Sequence, residues 1–533
     1  MKIKSIMLCA ACLILYGCDS PDNMEAQSAL DNPVVQTVVH SGPIHWFEGT
    51  VEAGFAQAKA ENKPVFLYWG AVWCPPCQEI KHTVFKSKQF IAQTKLFVPI
   101  YLDGDTDRAQ AWGETFGVKG YPTMIVFNPA GEEITRLPGG IDISRYNTVL
   151  DLSLNAMRPT SMLVQLALHD PSKLQSSDFV QLAYYSWGQD FDSLPEGTPA
   201  TFFRGLSQLS DDPQSSARLY MQYLIALARE QKVQASDSEV TEAPARTSTE
   251  AYARLMQILD SNELILACWE YLGYHTEAIV SLPVFGEDEL APLQDKWQQR
   301  MFALRSQPSL STAEKLSGWL PLLSFHFLAD EDAPLPQLLV TRLREDIHRA
   351  DADTTDSYAR QSVVSQMDDV LQSAKLYDDA RALLLAELDK SASPYYFMSG
   401  LSSLEETVGN IPEALDWRRK AYENAIGEAT RFQWGASYVR AVIRLTPENH
   451  QLVMSAAMQL FDELDGDQTP FTGRNFRLLR SVNKQLNQWQ LEQGDDALAK
   501  SFESRISALC QRQAEGSLEL ENCRSLEKAQ LKM

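Results

Sequence analysis

Basic charge, histidine and long apolar runs are all scarce in this chain. Its 533 residues carry 47 lysines and arginines against 70 aspartates and glutamates, a formal charge of -23. Nucleic acids and anionic lipid headgroups select clustered basic surface, so this balance argues against both as partners. The eight histidines are spread along the chain, and after residue 45 no histidine pair and only one cysteine pair stands at close ligand spacing. A zinc centre needs four donors, so no metal ligands are assigned. Neither a phosphate-cradling glycine loop nor a nucleophile-elbow serine stands out. The apolar stretch near the N-terminus, Ile6 to Tyr16, is too short to span a bilayer. Behind Lys2 and Lys4 it reads instead as a secretory signal over residues 1–17. With 44% apolar and 22% charged residues, the whole chain has the composition of a globular protein. Its length predicts two to four domains.

What the chain does have is one concentrated stretch, Trp73-Cys74-Pro75-Pro76-Cys77, directly after the apolar run Val65 to Trp69. That run predicts a buried strand, and the amphipathic segment Gln78 to Gln93 predicts a helix. The cysteines therefore fall where strand becomes helix. A helix N-terminus carries partial positive charge and favours the thiolate, the reactive form of cysteine. With two residues between them the sulfurs can meet in one ring, so Cys74 can attack a disulfide and Cys77 can resolve the adduct. The alternatives for such a pair are a structural disulfide or half of a zinc site. Further on come Gly117-Val-Lys-Gly120-Tyr121-Pro122-Thr123, a strand-like Met124 to Phe127, and the turn Asn128-Pro-Ala-Gly131-Glu132.

Ala-x-Trp-Cys-x-x-Cys, the Gly-Tyr-Pro-Thr loop and that turn resemble a thioredoxin-fold domain over residues 44–157, most like those of membrane-bound thiol:disulfide interchange proteins. The resemblance implies that Cys74 is the exposed nucleophile and Cys77 the inward resolving thiol. It further implies that Pro122 is a cis-proline facing them, and that Trp73 and Tyr121 line the substrate groove. No cofactor beyond the Cys74–Cys77 couple is implied. Two departures bear on the mechanism. Many thioredoxins hold a buried Asp–Lys pair that takes the resolving thiol's proton; here the positions are Tyr68 and Pro99, which leaves Glu79 or water for that task. Pro75 and Pro76 lack N–H groups, so two donors to the thiolate are missing. Dithiol couples run from about -270 mV for thioredoxin to about -120 mV for the strongest oxidant, and these features point to the reducing half.

Around this core the reading predicts a helix at Gly49–Asn62, a strand from Leu96 to Leu102, a helix at Asp105–Phe116, strands near Thr123 and Glu133, and a closing helix near Ser144–Met157. Pro99 inside a strand requires an edge position, as if the first strand usual in the fold were reduced. Leu15-Tyr16-Gly17-Cys18 resembles the bacterial lipobox, which implies a lipidated Cys18 and a polar tether over residues 18–43. Asp19 resembles an inner-membrane retention signal. The implied location is the cell envelope, lipid-anchored and facing the periplasm.

From residue 158 to 533 apolar residues recur at three- and four-residue spacing, which predicts an all-helical region with breaks near Gln231–Thr249, Pro283–Asp288 and Ala329–Pro336. Val370, Ala374, Tyr377, Ala380 and Leu388 align with Leu404, Val408, Ile411, Ala414 and Tyr422 at a shift of 34. That period resembles a tetratricopeptide repeat around residues 361–465, with a generic helical array as the alternative. Cys510 and Cys523 suit a disulfide pinning a terminal helix. Two functions follow. One is a tethered thiol–disulfide oxidoreductase reducing cysteine-containing envelope proteins, re-reduced by a membrane thiol–disulfide electron donor. The other is an interaction lipoprotein whose helical region recruits one partner for the redox domain to serve.

Overall fold

The computed structural model describes residues 43–533 apart from 138–142, 156–157, 191–192, 196–197, 238–249, 466–469, 495 and 531–533. The central strand β1 (Val65–Gly70) is buried along its whole length, as its unbroken apolar sequence demands. It lies between β2 (Val98–Asp103), which runs parallel to it, and β3 (Thr123–Phe127), which runs antiparallel. β4 (Glu133–Leu137) closes the sheet in the order β2-β1-β3-β4. Alternate side chains leave opposite faces. Val65, Leu67 and Trp69 meet α1 (Val51–Glu61) and α4 (Asp107–Thr115) in one core. Phe66 and Tyr68 meet α3 (Lys88–Thr94) and α5 (Ile143–Asn155) in another. Pro99 sits on the edge strand, pairing with Phe66, and its carbonyl accepts the Phe47 N–H at 2.7 Å.

The helix expected over Gln78–Gln93 is in fact two. α2 (Pro75–His82) begins three residues earlier, because prolines are tolerated in a helix's first turn, where N–H groups have no intrahelical partner. It ends where the Thr83 hydroxyl donates back to the Glu79 carbonyl at 2.7 Å. A single 3₁₀ turn, Val84–Lys86, leads to Ser87, whose side chain caps α3. Both hydroxyls compete with the backbone ladder, which the apolar periodicity does not reveal.

After residue 157 the described chain is helical, with no further strand among the described residues. Two of the expected breaks fall between Val280 and Glu287 and between Ala329 and Gln337. The first starts later than expected: the Pro213–Asp237 helix runs through Gln231. The 34-residue offset is carried by the backbone itself. Lys375 and Gly409 both turn left-handed, with φ of 57° and 80°. The N–H groups after them reach back identically, Leu376 to the Leu371 carbonyl (2.9 Å) and Asn410 to the Glu405 carbonyl (2.8 Å).

The redox stretch shares a core with the far end of the chain. Ala71, Trp73, Cys74 and Cys77 belong to the same apolar cluster as Tyr395, Trp434, Phe476 and Cys510. Residues 42–533 form one compact unit.

Candidate active site

Cys74 is the N-cap of α2, with Pro75 and Pro76 immediately after it. An N-cap side chain takes the N–H of the second or third helical residue. The first two helical positions are prolines, so the only donor left is Cys77, whose N–H lies 3.2 Å from Cys74 Sγ. The two sulfurs are bonded, with Cα atoms 5.2 Å apart. The thiolate that reduction would free at Cys74 keeps one backbone donor and the positive end of a short helix. The Tyr121–Pro122 bond is cis. Thr123 pairs with Trp69, which puts this loop at the same end of the sheet as the cysteines. Tyr121 packs against the cluster that holds both cysteines, its ring centroid 6.0 Å from that of Trp73. The Pro122 carbonyl accepts from Gln189 Nε2 at 2.6 Å, so one acceptor of this loop is already occupied.

Tyr68, at the position of the missing acid, is fully buried, and its hydroxyl reaches the Cys77 carbonyl at 3.5 Å. Burial pushes its pKa far up, so the phenol stays neutral and cannot take the resolving thiol's proton as a carboxylate would. Glu79 turns to the helical region, where Ser311 Oγ donates to it at 2.5 Å. Burial raises its pKa against the opposing effect of that hydrogen bond.

Cys74 is 2% exposed and Cys77 is fully buried. The expectation that the first cysteine is the exposed one fails, and the cause is the helical region lying over it. Trp73 is held there from both sides. Its carbonyl accepts from Gln361 Nε2 at 2.7 Å, and its indole N–H donates to Thr430 Oγ1 at 2.6 Å. The Thr430 hydroxyl passes the chain on to the Asp105 carboxylate, which burial keeps above the ordinary aspartate pKa. The Arg474 guanidinium lies 5.4 Å from the Trp73 ring centre and 5.0 Å from that of Tyr121. Two glycines permit this approach. Gly427 has φ 91°, and a Cβ there would stand 2.8 Å from Asp105 Cγ. Gly473 has φ 57°, and its N–H donates to Glu114 Oε2 at 2.8 Å, seating the first turn of the Gly473–Gln493 helix on α4.

Sequence reasoning missed Gln361, Thr430, Trp434 and Arg474 because their role depends on contacts with residues hundreds of positions away. It also missed Gln78, fully buried beside Cys77, whose amide donates to the Val72 carbonyl at 2.7 Å and braces the loop. Cys510 and Cys523 are bonded, linking the helices Asp496–Cys510 and Leu518–Gln530. Cys18 lies outside the described residues.

A helix-capping Cys-x-x-Cys at the end of a central strand, with a cis-proline loop at the same end of the sheet, defines a thioredoxin-like redox domain. Residues 51–153 match a family model described as a thioredoxin-like domain. Thioredoxin H4 of Arabidopsis thaliana is 35% identical over 85 residues, 16% of this chain and 66% of that protein. Nucleoredoxin of Bos taurus is 29% identical over 99 residues and is spanned over only 23% of its length. The thiol:disulfide interchange protein DsbD of Yersinia pestis is 33% identical over 95 residues, 17% of this chain and 16% of that protein. A thioredoxin from Thermus thermophilus, known as a solution structure, is 25% identical, with a TM-score of 0.20, covering 21% of this chain and 92% of its own. Residues 51–153 are thus a thioredoxin-like domain with a Cys-x-x-Cys disulfide, and a long helical region follows them.

Proposed function

We propose that this protein is a membrane-tethered thiol–disulfide oxidoreductase of the cell envelope that reduces disulfides in other envelope proteins. The observation that carries the reading is Cys74 as the N-cap of α2, bonded to Cys77, beside the cis-proline loop. In the reduced protein the Cys74 thiolate attacks one sulfur of a client disulfide, forming a mixed disulfide and releasing the client's other sulfur as a thiolate. Cys77, once deprotonated, attacks Cys74 Sγ, which restores the Cys74–Cys77 bond and frees the second client thiolate. Two electrons pass to the client, and a dithiol donor must return them. A membrane thiol–disulfide carrier suits that task, in keeping with the resemblance to interchange proteins. Tethering rests on the signal-like residues 1–17 and on Cys18 as the acylated residue; two or more acyl chains make a stable anchor.

The burial of Cys74 favours a narrow clientele, and this supports the second reading, in which the helical region selects one partner for the redox domain. Trapping tests both. Cys77→Ala leaves the mixed disulfide on Cys74 unresolved, so clients should be recovered on it from cell envelopes under non-reducing conditions. One dominant adduct supports the selective reading and many adducts a general reductase. A Cys74 that forms none, and that resists alkylation after reduction even in denaturant-loosened protein, would sink the catalytic reading.

A further inference from the structure

Beside the redox stretch a cleft of about 580 Å³ opens between the Ser357–Ser373 and Pro394–Thr407 helices. Its walls include Tyr274, Asp368, Asp369, Tyr396 and Gly400, and Trp434 belongs to its lining. Three features set it apart from an ordinary surface groove.

The first is uncompensated negative charge. Asp368 is 7% exposed, yet its partner is a neutral amide, Gln372 Nε2, at 2.9 Å from Oδ1. Asp369 follows it at the exposed mouth, and among the described lining residues there is no lysine or arginine. Burying a carboxylate without a cation is costly and is normally avoided. Burial pushes Asp368 up to about 7, the mark of a site lacking its countercharge.

The second is a buried donor without an acceptor. Trp434 is 6% exposed and its indole N–H has no hydrogen-bond partner among the described residues. Buried polar groups of this kind call for an explanation, and a ligand is one.

The third is position. Trp434 packs edge-on against Trp73 at 6.2 Å, and the same helix that carries Asp368 holds the Trp73 carbonyl through Gln361. The cleft is therefore one aromatic contact away from the residue preceding Cys74. At Gly400 the wall is bare, and a Cβ there would come within 3.4 Å of Asp368 Oδ2.

We propose that this cleft binds an extended, basic stretch of the client polypeptide, and so selects which disulfide reaches Cys74; the proposal rests on the oxidoreductase reading above. A lysine or arginine head would pair with Asp368 and Asp369 against the Tyr396 ring.

The test uses the oxidised full chain and two fluorescein-labelled, cysteine-free peptides of equal length, one with paired lysines and one with paired glutamates. Fluorescence anisotropy should show the lysine peptide binding at least tenfold more tightly. Asp368→Asn with Asp369→Asn should abolish most of that preference, and added salt should erode it in the unmodified protein. Asp369→Asn alone, at the exposed mouth where folding is not at stake, should weaken the lysine peptide by about threefold or more. Equal affinity for the two peptides, no binding of either, or full binding by both variants overturns the proposal. Reduction of hydroxyethyl disulfide by the reduced protein is measured in parallel. Turnover of that small disulfide without lysine-peptide binding removes the cleft and leaves the oxidoreductase. Binding without any turnover supports the cleft and removes the oxidoreductase.

Discussion

At the scale of single residues, Asp105 and Arg474 beside Trp73, and Asp368 in the neighbouring cleft, depart from their ordinary chemistry. Asp368 gives the cleanest consequence. Its native pKa of about 7 lies above the ordinary aspartate value near 3.9, so between about pH 4 and 7 the native state binds more protons than the unfolded chain. Stability then falls as pH rises through that window, and Asp368→Asn, which has no charge to bury, escapes the loss. The variant should match the unmodified protein near pH 4 and exceed it by about 1–2 kcal/mol at pH 8, the upper limit set by 1.36 kcal/mol per pKa unit being discounted for solvent at the cleft. Thermal melts at both pH values check this, and an equal difference at the two would refute it. A residue whose removal stabilises the fold while weakening ligand binding behaves as a functional group would. Thr430 behaves oppositely. It accepts from the Trp73 indole and donates to Asp105, so Thr430→Ala strands a buried N–H and a half-buried carboxylate. A cost of about 1–3 kcal/mol in urea unfolding is expected.

Elements were legible in the sequence wherever their signal was local. β1 announced itself as an apolar run, Pro99 forced β2 to an edge, and the shift of 34 between Ala380 and Ala414 corresponds to helix starts at Tyr377 and Ile411. Thr83 and Ser87 hid the break between α2 and α3, because a hydroxyl's choice of backbone partner is not encoded in apolar spacing. The burial of Cys74 was illegible for a different reason. Nothing within residues 44–157 says that Gln361, Thr430 and Arg474 will arrive on top of it, and Gly427 and Gly473 look like ordinary loop glycines until their neighbours are known. Gly427 tests the docking of the Glu428–Leu445 helix directly. Alanine there meets both a left-handed φ and a 2.8 Å contact with Asp105, whereas alanine at Gly409 meets a similar φ of 80° and no atom within 4 Å among the described residues. Gly409→Ala should therefore cost about 1 kcal/mol, the backbone penalty alone. Gly427→Ala should cost measurably more in urea unfolding and should also speed alkylation of reduced Cys74. Equal costs, with Cys74 reactivity unchanged, would mean that this approach does not hold the cover down.

For the whole molecule, the question is how a folded protein client meets a nucleophile that is 2% exposed. The cover over Cys74 is held at separated points: Gln361 and Thr430 on Trp73, Arg474 over Trp73 and Tyr121, Gly473 on Glu114, Arg477 on the Val118 carbonyl and Ser311 on Glu79. Each hydrogen bond of this kind contributes only about 0.5–1.5 kcal/mol net, and opening exposes the polar groups to water, which replaces their partners. The apolar contact of Trp73 with Trp434 and Tyr121 adds to this, yet much of the sheet's own core lies elsewhere. Opening of the cover should thus cost less than global unfolding and occur as a local event. Reduced protein should then discriminate by size. Iodoacetamide, small enough to reach the sulfur through minor fluctuations beside the exposed Val72 and Pro76, should modify Cys74 at least a hundredfold faster than a polymer-linked iodoacetamide of the same chemistry. Urea well below the unfolding midpoint should close that gap, with a dependence shallower than that of global unfolding because less surface is exposed. Gln361→Ala with Thr430→Ala should close it without urea. If both reagents react at the same rate in native protein, the cover does not govern access. If the gap closes only at the global midpoint, the helical region and the redox domain open as one body, and a client must engage Cys74 by some route other than local release.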